Sequence, residues 1–193
     1  SSDGSRVAIG ASNNDGNGNT SGHVRVFQYQ VISGTATWTQ LGADIDGEAA
    51  GDYSGSSVSL SSDGSRVAIG APFNDAGNSG SDNRGHARVY ELQSGSWVKL
   101  GSDIDGEAAG DRSGSSVSLS SDGSRVAIGA PVNDGNGTYS GHVRIYDYNG
   151  TDWVKFGADI DGEAAGDYSG AENRISLTPD GSRIAIGAVS YTH

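Results

Sequence analysis

The chain has 193 residues, of which 34% are hydrophobic and 32 are glycine, and its formal net charge is −12. This acidic charge argues against a nucleic-acid partner, because neutralising phosphates requires a basic surface. Cysteine is absent, which excludes disulfides and thiolate metal sites, and no apolar run approaches the roughly 18 residues of a membrane span. Because the chain lacks methionine and opens inside a repeat, we expect an excerpt or processed product of a longer array.

Two phrases recur along the chain and define a repeat. The phrase Ser-Ser-Asp-Gly-Ser-Arg-Val-Ala-Ile-Gly-Ala begins at Ser1, Ser61 and Ser120, and it returns in altered form from Thr178. The phrase Asp-Ile-Asp-Gly-Glu-Ala-Ala-Gly-Asp begins at Asp44, Asp103 and Asp159. These spacings define a unit of about 59 residues, and a fixed period of this length is typical of repeat architectures.

Alternation of apolar and polar residues predicts four strands per unit. In the second unit these are residues 57–60, 66–70, 86–90 and 97–100, with a tight turn at Asp63 and Gly64. Ala68 and Gly70 lie on one face of their strand, where small side chains would let a neighbouring sheet approach closely. No segment shows the 3.6-residue period of a helix, so the sequence predicts an all-β protein. Repeated four-stranded antiparallel units are typical of β-propeller blades.

The strand pair from Gly55 to Pro72, and again from Gly114 to Pro131, resembles the FG-GAP repeats of integrin α-subunit propellers. The Gly-Ala-Pro half is present in both, whereas Ser54-Gly55 stands in place of Phe-Gly. The family's aspartate-rich calcium loop between these strands is absent. The resemblance therefore implies a propeller fold without that calcium site.

The family's strand order divides the chain into blades. It implies a partial blade over 1–54 with strands two to four, complete blades over 55–113 and 114–169, and a partial blade over 170–193 with strands one and two. Three and a fraction blades do not close a ring, since propellers have about four to eight. We therefore expect an incomplete ring or part of a longer array, with further repeats or a second copy completing the broken blades.

The acidic phrase is the leading candidate for a metal site. Carboxylates at its positions 1, 3, 5 and 9 suit a hard cation such as calcium. The alternative is that they form turns, with Asp52 capping backbone amides between blades. The candidate ligands are Asp44, Asp46, Glu48 and Asp52, then Asp103, Asp105, Glu107 and Asp111, then Asp159, Asp161, Glu163 and Asp167.

Aromatic and histidine side chains also recur once per unit. Trp38, Trp97 and Trp153 are interpreted either as packing between blades or as sugar-stacking platforms. The histidines at one repeated position are interpreted as structural, because no serine or acid at a fixed offset would complete a catalytic triad. They are His23, His86 and His142.

Catalysis needs a unique constellation of side chains, and every candidate group here is repeated, so we expect no enzyme. Glycosylation sequons at Asn19, Asn136 and Asn149 fall in predicted surface loops. The favoured hypothesis is an extracellular or cell-surface structural and adhesive repeat protein. The alternative is a multivalent carbohydrate-binding propeller, calcium-dependent if the acidic loops bind metal, with glycans or cell-surface proteins as partners.

Overall fold

The computed structural model describes residues 1–75 and 82–188, which form sixteen strands in four antiparallel sheets. The first sheet contains β1 (Arg6–Ala11), β2 (His23–Ile32), β3 (Thr35–Gln40) and β4 (Ile45–Asp46). The second contains β5 (Ser57–Leu60), β6 (Arg66–Ala71), β7 (His86–Gln93), β8 (Ser96–Lys99) and β9 (Ile104–Asp105). The third contains β10 (Ser116–Leu119), β11 (Arg125–Ala130), β12 (His142–Tyr148), β13 (Trp153–Lys155) and β14 (Ile160–Asp161), and the fourth contains β15 (Ile175–Leu177) and β16 (Ile184–Ile186).

Each of the two five-stranded sheets is a meander of four strands with one short addition. In the second sheet the order is β5-β6-β7-β8, and β9 also pairs with β7, beside β8. The four strands predicted for the second unit are confirmed, and the turn at Asp63 forms as expected, with its Oδ1 accepting a hydrogen bond from the Ser65 amide at 2.9 Å. The blade boundaries stay a prediction, and residues 76–81 and 189–193 of the predicted blades lie outside the described residues.

The short strand β9 was not predicted. It lies inside the acidic phrase, where Ile104 packs into the core at 5% exposure while Asp103 and Asp105 flank it. Two residues are too few to show a strand period, and the pairing partner lies in β7, where Ala87 is opposite Ile104. The acidic phrase is therefore part of the sheet and not a free loop.

Successive sheets pack against one another, and we call each such contact a seam. In the first seam, Val24 and Ile45 contact Val67 and Ile69 of the next sheet. In the second, Val89, Leu100 and Ile104 contact Val126, Ile128 and Trp153. Ala127 and Val143 meet Ile175 and Leu177 in the third. The protein therefore buries most of its apolar side chains between repeats, as expected for stacked repeat units.

Glycines bring the sheets unusually close at each seam. A β-carbon on Gly70 would lie 1.9 Å from the carbonyl oxygen of Gly114, and the pairs Gly10–Gly55 and Gly129–Gly170 show the same approach. Gly70 belongs to the Gly-Ala-Pro half of one repeat and Gly114 to the Ser-Gly half of the next. The close approach expected for the small residues of β6 is confirmed.

Backbone hydrogen bonds link the turns of successive repeats. The Ser2 amide donates to Ser62 O, Ser62 to Ser121 O, and Ser121 to Pro179 O, each at 2.8 Å. These bonds tie each described sheet to the next through the turn that precedes β1, β6, β11 and β16. In the described ranges, 1–75 and 82–188, there is no helix that is long and apolar enough to cross a membrane.

Candidate functional site

The first carboxylate of each acidic phrase pairs with an arginine of the same sheet. The three pairs are Arg25–Asp44 at 2.8 Å, Arg88–Asp103 at 3.1 Å and Arg144–Asp159 at 2.8 Å. Hydrogen bonds from Arg25 and then Gln40 lower the pKa of Asp44 to about 2. A hydrogen bond from Arg144 likewise holds the pKa of Asp159 below its usual range. These carboxylates are therefore ionised and already neutralised by a guanidinium.

The glutamate of each phrase reaches across a seam. Glu48 forms an ion pair with Arg88 of the second sheet, and Glu107 forms one with Arg144 of the third. Both arginine side chains are largely buried, at 9% and 13% exposure. Each guanidinium therefore bridges an aspartate of its own repeat and a glutamate of the preceding one.

The last carboxylate of each phrase is buried and accepts hydrogen bonds. Asp52 Oδ2 accepts from the Ala49 amide and from Asn74 Nδ2 of the next repeat, both at 3.0 Å. Asp111 makes the equivalent bonds to Ala108 and Asn133, also at 3.0 Å. Asp167 accepts from the Ala164 amide at 2.7 Å. This is the capping role that the turn-forming alternative gives to Asp52.

The four carboxylates of one phrase thus face different partners. Within the described part of the chain, the sets of three potential metal ligands are His23–Asp44–Asp46, Glu48–His86–Asp103 and Glu107–His142–Asp159. None of these sets contains more than two carboxylates of one phrase. In the second set Arg88 already contacts both carboxylates, so a cation would have to displace its guanidinium. Calcium binding by the twelve acidic residues stays a prediction, and this arrangement of donors does not favour it.

The repeated histidine is buried beside these carboxylates. His86 is 3% exposed, and its Nδ1 has no hydrogen-bond partner among the described residues, the nearest carboxylate oxygen being that of Asp105 at 4.0 Å. Burial lowers the pKa of His86 below its ordinary value, although Asp103 and Asp105 oppose this shift. Burial lowers the pKa of His142 in the same way. His86 and His142 are therefore mainly neutral at pH 7.

Two of the three tryptophans pack within seams. Trp97 Nε1 donates to Leu41 O, and Trp153 Nε1 donates to Leu100 O, each at 2.8 Å. Trp38 is 48% exposed and its indole makes an edge contact with Tyr29. The packing interpretation describes Trp97 and Trp153, whereas sugar binding by Trp38 stays a prediction.

The three sequon asparagines differ in what their side chains do. Asn136 Nδ2 donates to Gly162 O at 2.9 Å and to Glu163 O at 3.1 Å, so a glycan, which leaves this nitrogen one hydrogen, would cost at least one of these hydrogen bonds. Asn149 uses its Oδ1 to accept from the Thr151 amide. Within the described residues, the amide nitrogens of Asn19 and Asn149 donate no hydrogen bond, which leaves them chemically available.

A groove that sequence reasoning missed lies where the loops between repeats meet. It has a volume of about 480 Å³ and combines aromatic, apolar and basic side chains. Its lining includes Phe73, Arg112, Val132, Tyr168, Glu172 and Arg174. The sequence contains one indication of this groove, because the otherwise similar repeats differ at a position in its lining. Arg112 stands where the first and third repeats have Tyr53 and Tyr168.

The sheets, their order and their seams define an all-β array of propeller-type blades. Among solved structures, the fold is similar to a protein from Bacteroides uniformis provisionally named a 6-phosphogluconolactonase, with a TM-score of 0.54 and 12% identity. The similarity covers 91% of this chain and 45% of that one, so the chain spans less than half the length of this relative. At such low identity the likeness concerns the fold alone, and it confirms the predicted fold class.

The type of repeat follows from a second comparison. Residues 103–146, which run from the second acidic phrase through most of β12, match the FG-GAP repeat. This match confirms the resemblance predicted from the paired strands and their glycines. A comparison with curated protein sequences finds no match.

Proposed function

We propose that this chain is a non-enzymatic, extracellular structural and adhesive protein whose blades associate with further blades of the same kind. The support is that residues repeated in each unit contact the neighbouring unit, among them arginines such as Arg88, tryptophans such as Trp97 and buried aspartates such as Asp52. Such contacts create a unit that can stack on copies of itself.

The observation that carries this proposal is an open apolar face on the first sheet. Val7, Ile9 and Trp38 are 38%, 52% and 48% exposed. Their counterparts in the second sheet, Val67, Ile69 and Trp97, form the first seam. An exposed apolar patch of this kind indicates an interaction surface.

A complementary face lies on the third sheet. Phe156 and Ile160 are 50% and 37% exposed, whereas their counterparts Leu100 and Ile104 are covered by the next repeat. The carbonyl of Leu100 accepts the indole N–H of Trp153, and the carbonyl of Phe156 occupies the equivalent place. In the third seam, Ile184 and Ile186 of β16 already take the places that Val67 and Ile69 take in the first. What a second copy would add at this surface is the tryptophan that the two described strands of the fourth sheet lack, by bringing Trp38 to the Phe156 carbonyl.

Sedimentation velocity of the 193-residue chain over a concentration series tests the proposal. We expect association that increases with concentration and is abolished by Trp38→Asp, because the charge would be buried in the new seam. Ile32→Asp is the matched control, since Ile32 is also exposed, at 51%, but lies on the opposite face of the sheet at the end of β2. A monomeric wild type, or a Trp38→Asp variant that associates like wild type, would contradict the proposal.

The extracellular part of the proposal has its own test. Secretion of the chain from a glycosylating host should add glycans at Asn19 and Asn149, whose amide nitrogens are available, and spare Asn136, whose amide is hydrogen-bonded. Mass spectrometry of the glycopeptides measures each site. If Asn19 and Asn149 stay unmodified in a secreted, folded chain, the sequons no longer support an extracellular protein.

A further inference from the structure

The groove between the repeat loops contains two guanidinium groups without acidic partners. Arg112 and Arg174 line it, and within the described residues neither forms an ion pair. Elsewhere in this chain of net charge −12, arginines such as Arg88, Arg125 and Arg144 contact carboxylates. Glu172 is the one acidic side chain of the lining, so the groove carries a net positive charge.

Arg112 is held there in a conformation that its residue type disfavours. Its φ is 55°, in the left-handed region, where non-glycine residues are uncommon. The backbone is fixed from both sides, since the Arg112 amide donates to Asn83 O at 3.2 Å and Arg112 O accepts from Ser115 Oγ at 2.7 Å. The equivalent residues Tyr53 and Tyr168 have the same left-handed φ, 54° and 49°, so the repeat fixes this backbone conformation and the groove differs only in the side chain that the position presents.

Aromatic rings flank the charge. The Arg112 guanidinium lies over the Phe73 ring, 4.9 Å from its centroid, and Tyr168 is 36% exposed on the same lining. Tyr168 is itself braced by Tyr139, with ring centroids 5.6 Å apart in a stacked arrangement. The partly exposed Tyr168 ring therefore lies in the same groove as the planar, positively charged guanidinium of Arg112.

We infer that this groove binds a small organic acid in which a carboxylate is attached to a ring. The Arg112 fork matches a carboxylate in two parallel hydrogen bonds, which a neutral ligand cannot form. Arg174 adds a second positive charge, and Tyr168, which is 36% exposed, provides a face for the ring. The volume lies in the range of small-molecule sites, about 300–1,000 Å³. This site is separate from the assembly faces and does not depend on the association proposed above.

Isothermal titration calorimetry on the 193-residue chain at pH 7 tests the inference with glucuronate and with benzoate, using glucose as the neutral ring. We expect at least one acid to bind and glucose not to bind. Binding of glucuronate alone identifies a sugar acid, and binding of benzoate alone identifies an aromatic acid. Heat from neither acid, or equal binding of glucose, would overturn the inference.

Variants locate the binding in the groove. Arg112→Gln should weaken binding of the acid at least about tenfold, because it removes the charge-assisted hydrogen bonds to the carboxylate. Arg183→Gln removes the same charge from an exposed position outside the groove and should leave binding unchanged. If Arg112→Gln does not fold, Arg174→Gln replaces it, with the same expected direction. Unchanged affinity in the folded groove variant overturns the site.

Discussion

Gly70 and Gly114 meet across a seam so closely that a β-carbon on Gly70 would lie 1.9 Å from the Gly114 carbonyl oxygen. The glycines of the two halves of the repeat signature are therefore in contact, but between neighbouring repeats. Gly114 also needs its residue type for its backbone, because its φ is 87°. The glycines of the repeat signature therefore mark the contact between two neighbouring repeats, and not only a strand pair within one repeat.

Gly70→Ala should destabilise the protein by more than about 3 kcal/mol, because backbone atoms on both sides would have to move apart. Urea-induced unfolding measures the change. Gly95→Ala is the control: its added methyl group meets nothing within 4 Å, and its φ of 85° costs only about 1–2 kcal/mol. Equal losses for the two variants would show that the seam can widen at little cost.

Trp97→Phe should cost about 1–2 kcal/mol, because the carbonyl of Leu41 loses the indole hydrogen bond made at 2.8 Å. Trp38→Phe should change the free energy of unfolding by less than about 0.5 kcal/mol, since that indole is exposed and has no hydrogen-bond partner among the described residues. Denaturant unfolding at a concentration that keeps the chain monomeric compares the two. A larger loss for Trp38→Phe would contradict the packing interpretation.

Glu48 and Arg88 should be energetically coupled across the first seam by about 1 kcal/mol, a modest value because the Glu48 side chain is 47% exposed. A double-mutant cycle with Glu48→Gln and Arg88→Gln measures this coupling. Glu163→Gln is the matched control, because Glu163 occupies the same position in the third phrase and makes no ion pair among the described residues. Coupling that persists in 1 M salt would indicate a contact that is not electrostatic.

Stability should fall as the pH is lowered from 7.5 towards 5.5. The folded-state pKa of His86 and of His142 lies below the ordinary value of 6.5, so the unfolded chain takes up protons first and gains stability relative to the fold. Thermal melting at several pH values measures the slope. His86→Gln with His142→Gln should flatten this slope, whatever it does to stability at pH 7.5. An unchanged slope in the double variant would assign the pH dependence to other groups.

The strands, turns and repeat were predictable because their signals are local: alternation, Asp-Gly turns and copies of one phrase. The roles of the acidic residues were not. Spacing suggested that Asp103, Asp105, Glu107 and Asp111 share one ion, whereas they are directed to different neighbours by β9 and by the next repeat. Glu107 meets Arg144, which is distant in sequence, and no pattern within one unit reveals such a partner.

The groove was not predicted, because its residues do not recur from copy to copy. Sequence reasoning followed residues that recur, such as Trp97 and Asp103, whereas Arg112 and Phe73 mark places where the copies disagree. Residues that recur in every copy are the ones that each seam requires. Residues that differ between copies belong to a single location, which here is the groove.

The shared residues of the seams also have a genetic consequence. Because the two sides of a seam are nearly alike in every copy, unequal crossing-over that removes or inserts one whole unit would join surfaces that already fit. Gly70 would meet Gly170 as readily as it meets Gly114, and Glu48 would find Arg144 in place of Arg88. Gain or loss of one whole unit would therefore keep the seams matched, whereas gain or loss of part of a unit would bring unlike surfaces together.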